Sequence, residues 1–203
     1  EDSATVSLTV LTVNDAPVLA SVSDVFFDED GSDSITLSAS DVDGDNLVYS
    51  VSDGVDISAS LSGNNIEFTA PANYNGSESF IVTVTDGDLS ASQSFTVTVN
   101  AVNDAPIADS TSGETSEDQE VVIALSGSDV DGDNLTFTLG DGAANGSVVI
   151  DGSFATYYPN ENYNGSDSFT FVVSDGELED SATVSLTVLT VNDAPVLASV
   201  SDV

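Results

Sequence analysis

Residues 168–189 read SFTFVVSDGELEDSATVSLTVL. Phe169, Phe171 and Val173 alternate with smaller or polar neighbours. After an Asp-Gly turn, Ala182, Val184, Leu186 and Val188 alternate with Thr183, Ser185 and Thr187. A period of two puts every apolar side chain on one face of an extended strand. The same alternation appears in Phe80, Val82, Val84 and in Phe95, Val97, Val99. Leu47, Tyr49, Val51 and Leu135, Phe137, Leu139 form a further pair of inward faces, as do Ile35, Leu37 and Val121, Ile123, Leu125. Gly, Asn, Asp and Pro punctuate these runs every 8–12 residues, and helix signals are absent. Strands are expected at 18–27, 33–39, 47–51, 56–61, 65–69, 79–85 and 93–99 of the first unit. About seven short antiparallel strands per unit predict an all-β chain of Ig-like Greek-key β-sandwiches. Tyr74 and Tyr163 precede the sixth strand and are expected to pack in the core or at a tyrosine corner.

The unit is defined by repetition. VNDAP occurs at 13–17, 102–106 and 191–195, 89 residues apart each time, and NYNGS recurs at 73–77 and 162–166 with the same spacing. SDVDGDNL at 40–47 and 128–135 is offset by 88, which a one-residue deletion explains. The expected organisation is two full repeats, 13–101 and 102–190. They are flanked by the last strand of a preceding repeat at 1–12 and the first strand of a following one at 191–203. Residues 1–25 reappear letter for letter at 179–203, a higher-order period of 178 residues. Arrays of this kind are quasi-one-dimensional, with sandwiches stacked head to tail.

Composition removes most chemistries. The 203 residues hold 36 Asp plus Glu and no Lys, Arg, His, Cys, Met or Trp, for a formal net charge of -36. Nothing can neutralise a phosphate, so nucleic acid and anionic membrane surfaces are excluded as partners. No apolar run approaches membrane-spanning length, so no membrane insertion is expected. There is no His base, Cys nucleophile, Lys Schiff base or Arg clamp. The remaining carboxylates, hydroxyls, amides and backbone carbonyls suit a hard cation, calcium before magnesium, zinc or copper.

Sandwich topology gathers the acids at the ends of each repeat. At the junction of the two full repeats the linker supplies Asn103 and Asp104. The second-to-third strand loop supplies Asp129, Asp131 and Asp133, the sixth-to-seventh strand loop Asp175, and the trailing end of the first repeat Glu29. Carboxylates a few ångströms apart repel by roughly 1–4 kcal/mol per pair, depending on the local dielectric. Calcium takes six to eight oxygens and would bind there. The corresponding leading-end set of the first repeat is Asn14, Asp15, Asp41, Asp43 and Asp86. The trailing-end set of the second is Glu117, Asn192 and Asp193. The Asp-x-Asp-Gly-Asp run is also compatible with a simple turn. It is not an EF-hand loop, because Gly44 and Gly132 fall at its fourth position and Ser52 and Gly140 at its twelfth. Asp88 and Glu177 are read as solvated, and Glu78, Glu161 and Asp167 as hydrated surface. Asn75, Asn134, Asn145 and Asn164 fit the glycosylation sequon, but three of them precede Gly and read as turns.

These motifs resemble the cadherin-like tandem repeats of giant bacterial surface proteins, including biofilm and RTX-type adhesins. TVNDAP at 12–17 is similar to the cadherin linker, SDVDGDNLVYSV at 40–51 to its Asp-x-Asp segment, and FIVTVTDGD at 80–88 to the strand ending in Ala-x-Asp. Glu29 and Glu117 resemble the Glu near the start of each cadherin repeat. The resemblance implies a seven-stranded sandwich with calcium at the linkers. The linker is one residue shorter and the Asp-Arg-Glu motif is missing from 69–78 and 156–167, so fewer ions per junction are expected than in animal cadherins. The expected function is a non-enzymatic, calcium-rigidified extender of an extracellular adhesin or surface fibre, on the cell surface or in a secreted matrix. Its partners are the neighbouring repeats of the same chain. A filament joining copies of itself by strand exchange, and a carbohydrate-binding repeat, are the alternatives.

Overall fold

Alternating Val, Phe, Thr and Ser between Gly- and Asp-rich turns can bury one face only as a sheet packed on a second sheet. The computed structural model, which describes residues 1–11 and 13–194, shows that arrangement twice. The chain divides into two compact units, Glu1–Val102 and Asn103–Val203.

The first unit contains β1 (Val18–Leu19), β2 (Val25–Asp28), β3 (Ser32–Thr36), β4 (Ala39–Ser40), β5 (Val48–Val51), β6 (Ser58–Ser62), β7 (Asn65–Thr69), β8 (Gly76–Thr85) and β9 (Ser90–Asn100). One sheet has the order β2-β9-β8-β5, the other β3-β7-β6, and β1 pairs with β4. The second unit repeats this with β10 (Ile107–Asp109), β11 (Thr111–Ser116), β12 (Val121–Ala124), β13 (Ser126–Ser128), β14 (Thr136–Leu139), β15 (Gly146–Asp151), β16 (Phe154–Pro159), β17 (Gly165–Ser174) and β18 (Glu179–Leu189). Its sheets are β11-β18-β17-β14 and β12-β16-β15, with β10 on β13. Pairing is antiparallel except where β2 runs parallel to β9 and β11 parallel to β18.

Two expected strands are each broken in two. The span 18–27 becomes β1 and β2, because the chain leaves its antiparallel partner β4 and crosses to pair in parallel with β9. The span 33–39 becomes β3 and β4 for the same reason, β3 lying on β7 and β4 on β1. A strand that switches sheets must interrupt its ladder, and in 33–39 the alternation of Ile35, Leu37 and Ala39 continues through the break.

The core lies between the sheets. In the first unit Phe68, Phe80 and Phe95 meet with ring centroids 5.5–6.1 Å apart, surrounded by buried Ile57, Ile66, Val82, Val84 and Val97. In the second, Tyr157 occupies the place of Phe68 among Phe169, Phe171, Val173, Val184 and Leu186. Tyr163 packs on that core and donates its hydroxyl to the carbonyl of Ser166 at 2.6 Å, while Tyr74 packs on the first.

Residues 1–11 carry no strand, and Val6, Leu8 and Val10 are 84%, 86% and 85% exposed. The identical residues of 179–189 form β18, where Val184, Leu186 and Val188 are at most 3% exposed. Of the segment 191–203, residues 195–203 lie outside the described residues, and 191–194 carry no strand.

Candidate functional site

The Asp-Gly-Asp loop folds around its first carboxylate. Asp41 Oδ1 accepts the backbone N–H groups of Asp43, Gly44 and Asp45 at 2.8, 3.1 and 3.4 Å. Asp129 does the same for Asp131, Gly132 and Asp133 at 2.9, 3.1 and 3.3 Å. Gly44 and Gly132 sit at φ +80°, a left-handed conformation that a side chain would strain. The turn reading of this motif is therefore satisfied, yet it uses only one oxygen of each leading aspartate. The other, Oδ2 of Asp41 and of Asp129, is buried and has no hydrogen-bond partner.

The linker closes on this loop. Asp15 N–H donates to Asp43 Oδ2 at 2.8 Å, and Asn14 Nδ2 donates to Asp86 Oδ2 at 3.1 Å. In the second unit Asp104 N–H donates to Asp131 Oδ2 at 2.8 Å and Asn103 Nδ2 to Asp175 Oδ2 at 2.9 Å. Asp86 Oδ1 accepts the N–H groups of Asp88 and Leu89, and Asp175 Oδ1 those of Glu177 and Leu178. Asp88 and Glu177 thus contribute their backbones rather than their carboxylates. Backbone donors from Leu89 and Asp88 lower the Asp86 pKa. The Asn103 amide, followed by the Leu178 and Glu177 N–H groups, lowers that of Asp175. Both are held ionised.

One carboxylate oxygen from each of Asp41, Asp43 and Asp45 lies within 4.8 Å of the others, and the same is true of Asp129, Asp131 and Asp133. A polar depression lined by Val13, Asn14, Asp43 and Asp45 opens beside the first group. The structure therefore brings together Asn14, Asp15, Asp41, Asp43 and Asp86 within the first unit. Within the second it brings together Asn103, Asp104, Asp129, Asp131, Asp133 and Asp175. It adds Asp45, which sequence reasoning passed over although its counterpart Asp133 was included; the 88-residue offset was sufficient to find it.

At the trailing end of each unit one glutamate is buried. Glu29 and Glu117 are each 6% exposed. Glu29 Oε1 accepts the N–H of Val102 at 2.6 Å, while its Oε2 is buried with no partner. Glu117 Oε1 accepts the N–H of Val191, and Asn164 Nδ2 donates to its Oε2 at 3.3 Å. Each glutamate grips the chain as it leaves the sheet. Asn192 donates to the carbonyl of Asp193, and both are exposed. Asn164 is engaged as a structural donor, in keeping with a turn.

The reading of Glu78 and Asp167 as hydrated surface is corrected. Glu78 accepts the N–H groups of Val55, Asp56 and Ile57 at 2.8, 2.7 and 3.2 Å. Asp167 accepts those of Ala144, Asn145 and Ser168 at 3.1, 2.8 and 2.9 Å and the Tyr157 hydroxyl at 2.9 Å. Burial raises both pKa values, but the summed donors outweigh it and hold both below the ordinary range. Burial, then the bond to Asp167, raises the pKa of Tyr157. These acids organise the loop before β6 and β15. Sequence could have flagged them only by their equivalent positions, 89 apart.

The fold and these ends define a class: tandem Ig-like β-sandwiches with carboxylate clusters at the start of each unit. The chain belongs to the family described as Bacterial Ig domain, which matches residues 14–100 and again 103–187. No curated protein sequence matches the chain. Among solved structures, the first two cadherin repeats of human protocadherin-24 align with a TM-score of 0.56 and 15% identity, covering 89% of this chain and 100% of that one. Repeats 1–4 of Drosophila N-cadherin align with a TM-score of 0.59 and 16% identity, covering 88% of this chain and 50% of that one. An endo-fucoidan hydrolase of glycoside hydrolase family 107 aligns with a TM-score of 0.37 and 23% identity, and this chain spans 29% of its length. The structural neighbours are thus cadherin repeats, a likeness of fold. Folds of this kind are typically non-enzymatic and generally extracellular. Among the described residues no helix is long and apolar enough to cross a membrane.

Proposed function

We propose that the chain is a stalk segment of a large extracellular adhesin or surface fibre, and that calcium at the start of each repeat fastens its linker. The observation that carries this is the buried, unpartnered Oδ2 of Asp41 and Asp129, each at the centre of a three-aspartate cluster. A buried carboxylate oxygen with no donor is costly, and no Lys, Arg or His exists in the chain to answer it. An all-oxygen, multiply anionic donor set fits calcium.

Asp41, Asp43 and Asp45 would hold the ion in the first repeat and Asp129, Asp131 and Asp133 in the second, with the linker residues Asn14, Asp15, Asn103 and Asp104 beside them. The ion supplies the positive charge that the clusters lack. Calcium would thereby tie each linker to the repeat that follows it. Glu29 holds the chain at Val102 to the repeat it leaves.

Calorimetric titration of calcium into chelator-stripped protein tests the proposal. Saturable binding of at least one ion per repeat is expected, with a melting temperature that rises with calcium. Heats no greater than dilution would sink it.

A further inference from the structure

Both repeats use the same backbone for their three-stranded sheet, yet they dress its outer face differently. In the first repeat the middle strand β7 presents Asn65, Glu67 and Thr69 outward, beside Ser58, Ser60 and Ser62 of β6 in register. In the second, β16 presents Phe154, Thr156 and Tyr158. Thr156 lies between Val122 of β12 and Val149 of β15, and Phe154 is paired with Asp151. Phe154, Tyr158, Val122 and Val149 are 53%, 42%, 59% and 57% exposed. The first repeat shows that this fold is satisfied with Asn, Glu, Thr and Ser there. The rings in the second are therefore not needed for its own packing, and a contiguous exposed apolar patch of this kind marks a binding surface.

The geometry points to this face as a binding surface for a neutral polysaccharide. Charge narrows the occupant. A chain of net charge -36 with no cation repels a second copy of itself, and equally any acidic glycan or nucleic acid. A basic partner would be drawn to the aspartate clusters at the repeat ends rather than to a face whose paired positions include one carboxylate, Asp151. What remains is an uncharged ligand with its own apolar faces and hydroxyl donors. A sugar ring stacks its C–H face on an aromatic ring and donates hydroxyls to Ser, Thr and Asp acceptors. Phe154 and Tyr158 are four residues apart on one side of one strand, about 13 Å along it. That spacing suits an extended chain lying along β16 better than a single sugar. The inference stands apart from the calcium reading, since none of these residues belongs to the aspartate clusters.

The test is affinity electrophoresis of the full 203-residue chain in native gels containing soluble β-glucan, galactomannan or xyloglucan, with alginate as the acidic control. The comparison is the double variant Phe154→Asn, Tyr158→Thr, which installs the residues of the first repeat and whose folding is checked by its melt. Retardation by at least one neutral polysaccharide and not by alginate is expected, with affinity falling roughly tenfold or more in the double variant as two ring contacts are lost. No retardation in any neutral gel, or equal retardation of a folded variant, would overturn the proposal. So would binding to polylysine, or dimerisation in light scattering, that the double variant abolishes.

Discussion

Replacing Asp41 and Asp129 together by Asn separates two roles of one side chain. An Asn carbonyl still accepts the three backbone N–H groups that each Asp Oδ1 holds, so the loop keeps its turn. The charge and the buried second oxygen are lost. Replacement by Ala removes both roles. For the wild type, calcium at 10 mM against a dissociation constant of about 10⁻⁴–10⁻³ M stabilises a site by roughly 1.4–2.7 kcal/mol. For a domain of this size that is a rise of roughly 6–20 °C in melting temperature. The Asn pair should melt within a few degrees of the wild type in EDTA and show almost none of the calcium-dependent rise. The Ala pair should also melt lower in EDTA, by about 1.5 kcal/mol per repeat, the low end for three solvent-exposed hydrogen bonds. The assay is a circular-dichroism melt with and without calcium, at an ionic strength held constant by NaCl so that screening does not mimic binding. An Asn pair retaining the full calcium shift would refute the assignment of these aspartates as ligands.

Three further outcomes follow from the packing. Phe80→Ala removes a fully buried ring from the Phe68–Phe80–Phe95 cluster and should cost about 3–5 kcal/mol in a urea melt of the first repeat. Asp167 has a lowered pKa, so its contribution is present above its ordinary value of 3.8 and is lost as pH falls through the lower folded value. The melting-temperature gap between wild type and Asp167→Asn should therefore be widest at neutral pH and close below pH 3.8; a gap that widens in acid would contradict this. Tyr157→Phe, which copies Phe68, should cost about 1 kcal/mol by denaturant melt, because it removes one hydroxyl while leaving Asp167 its three backbone donors.

Much of the site was legible because it is built from short-range rules repeated twice. Asp41 and Asp129 organise the residues two to four places ahead of them, and such turns are written in adjacent letters. The partners Asp86 and Asp175 could be placed once the strand order was inferred, since the topology carries the loop before β9 or β18 to the same end as the linker. The split of the second expected strand was not legible, because Ile35, Leu37 and Ala39 keep a period of two through it, and that of the first was marked only by Ser21, Ser23 and the out-of-phase Val22. Nor were the roles of Glu78 and Asp167. An acid between two serines reads as surface until the loop of Val55–Ile57, or of Ala144 and Asn145, turns its N–H groups inward across the sheet.

Repeat length, the all-β class and the oxygen-only donor set follow from composition and periodicity alone. Which of two equal patterns is used depends on long-range packing. Phe154 and Asn65 hold corresponding outward positions, and only the sheet's exposed face shows that one is displayed where the other is merely solvated. The eleven letters EDSATVSLTVL are a buried central strand at 179–189 and an exposed segment without strand at 1–11. Strand propensity is the same in both places. The difference is that β17 and β11 flank one copy with backbone donors and an apolar face, and a strand exists only where such neighbours complete it.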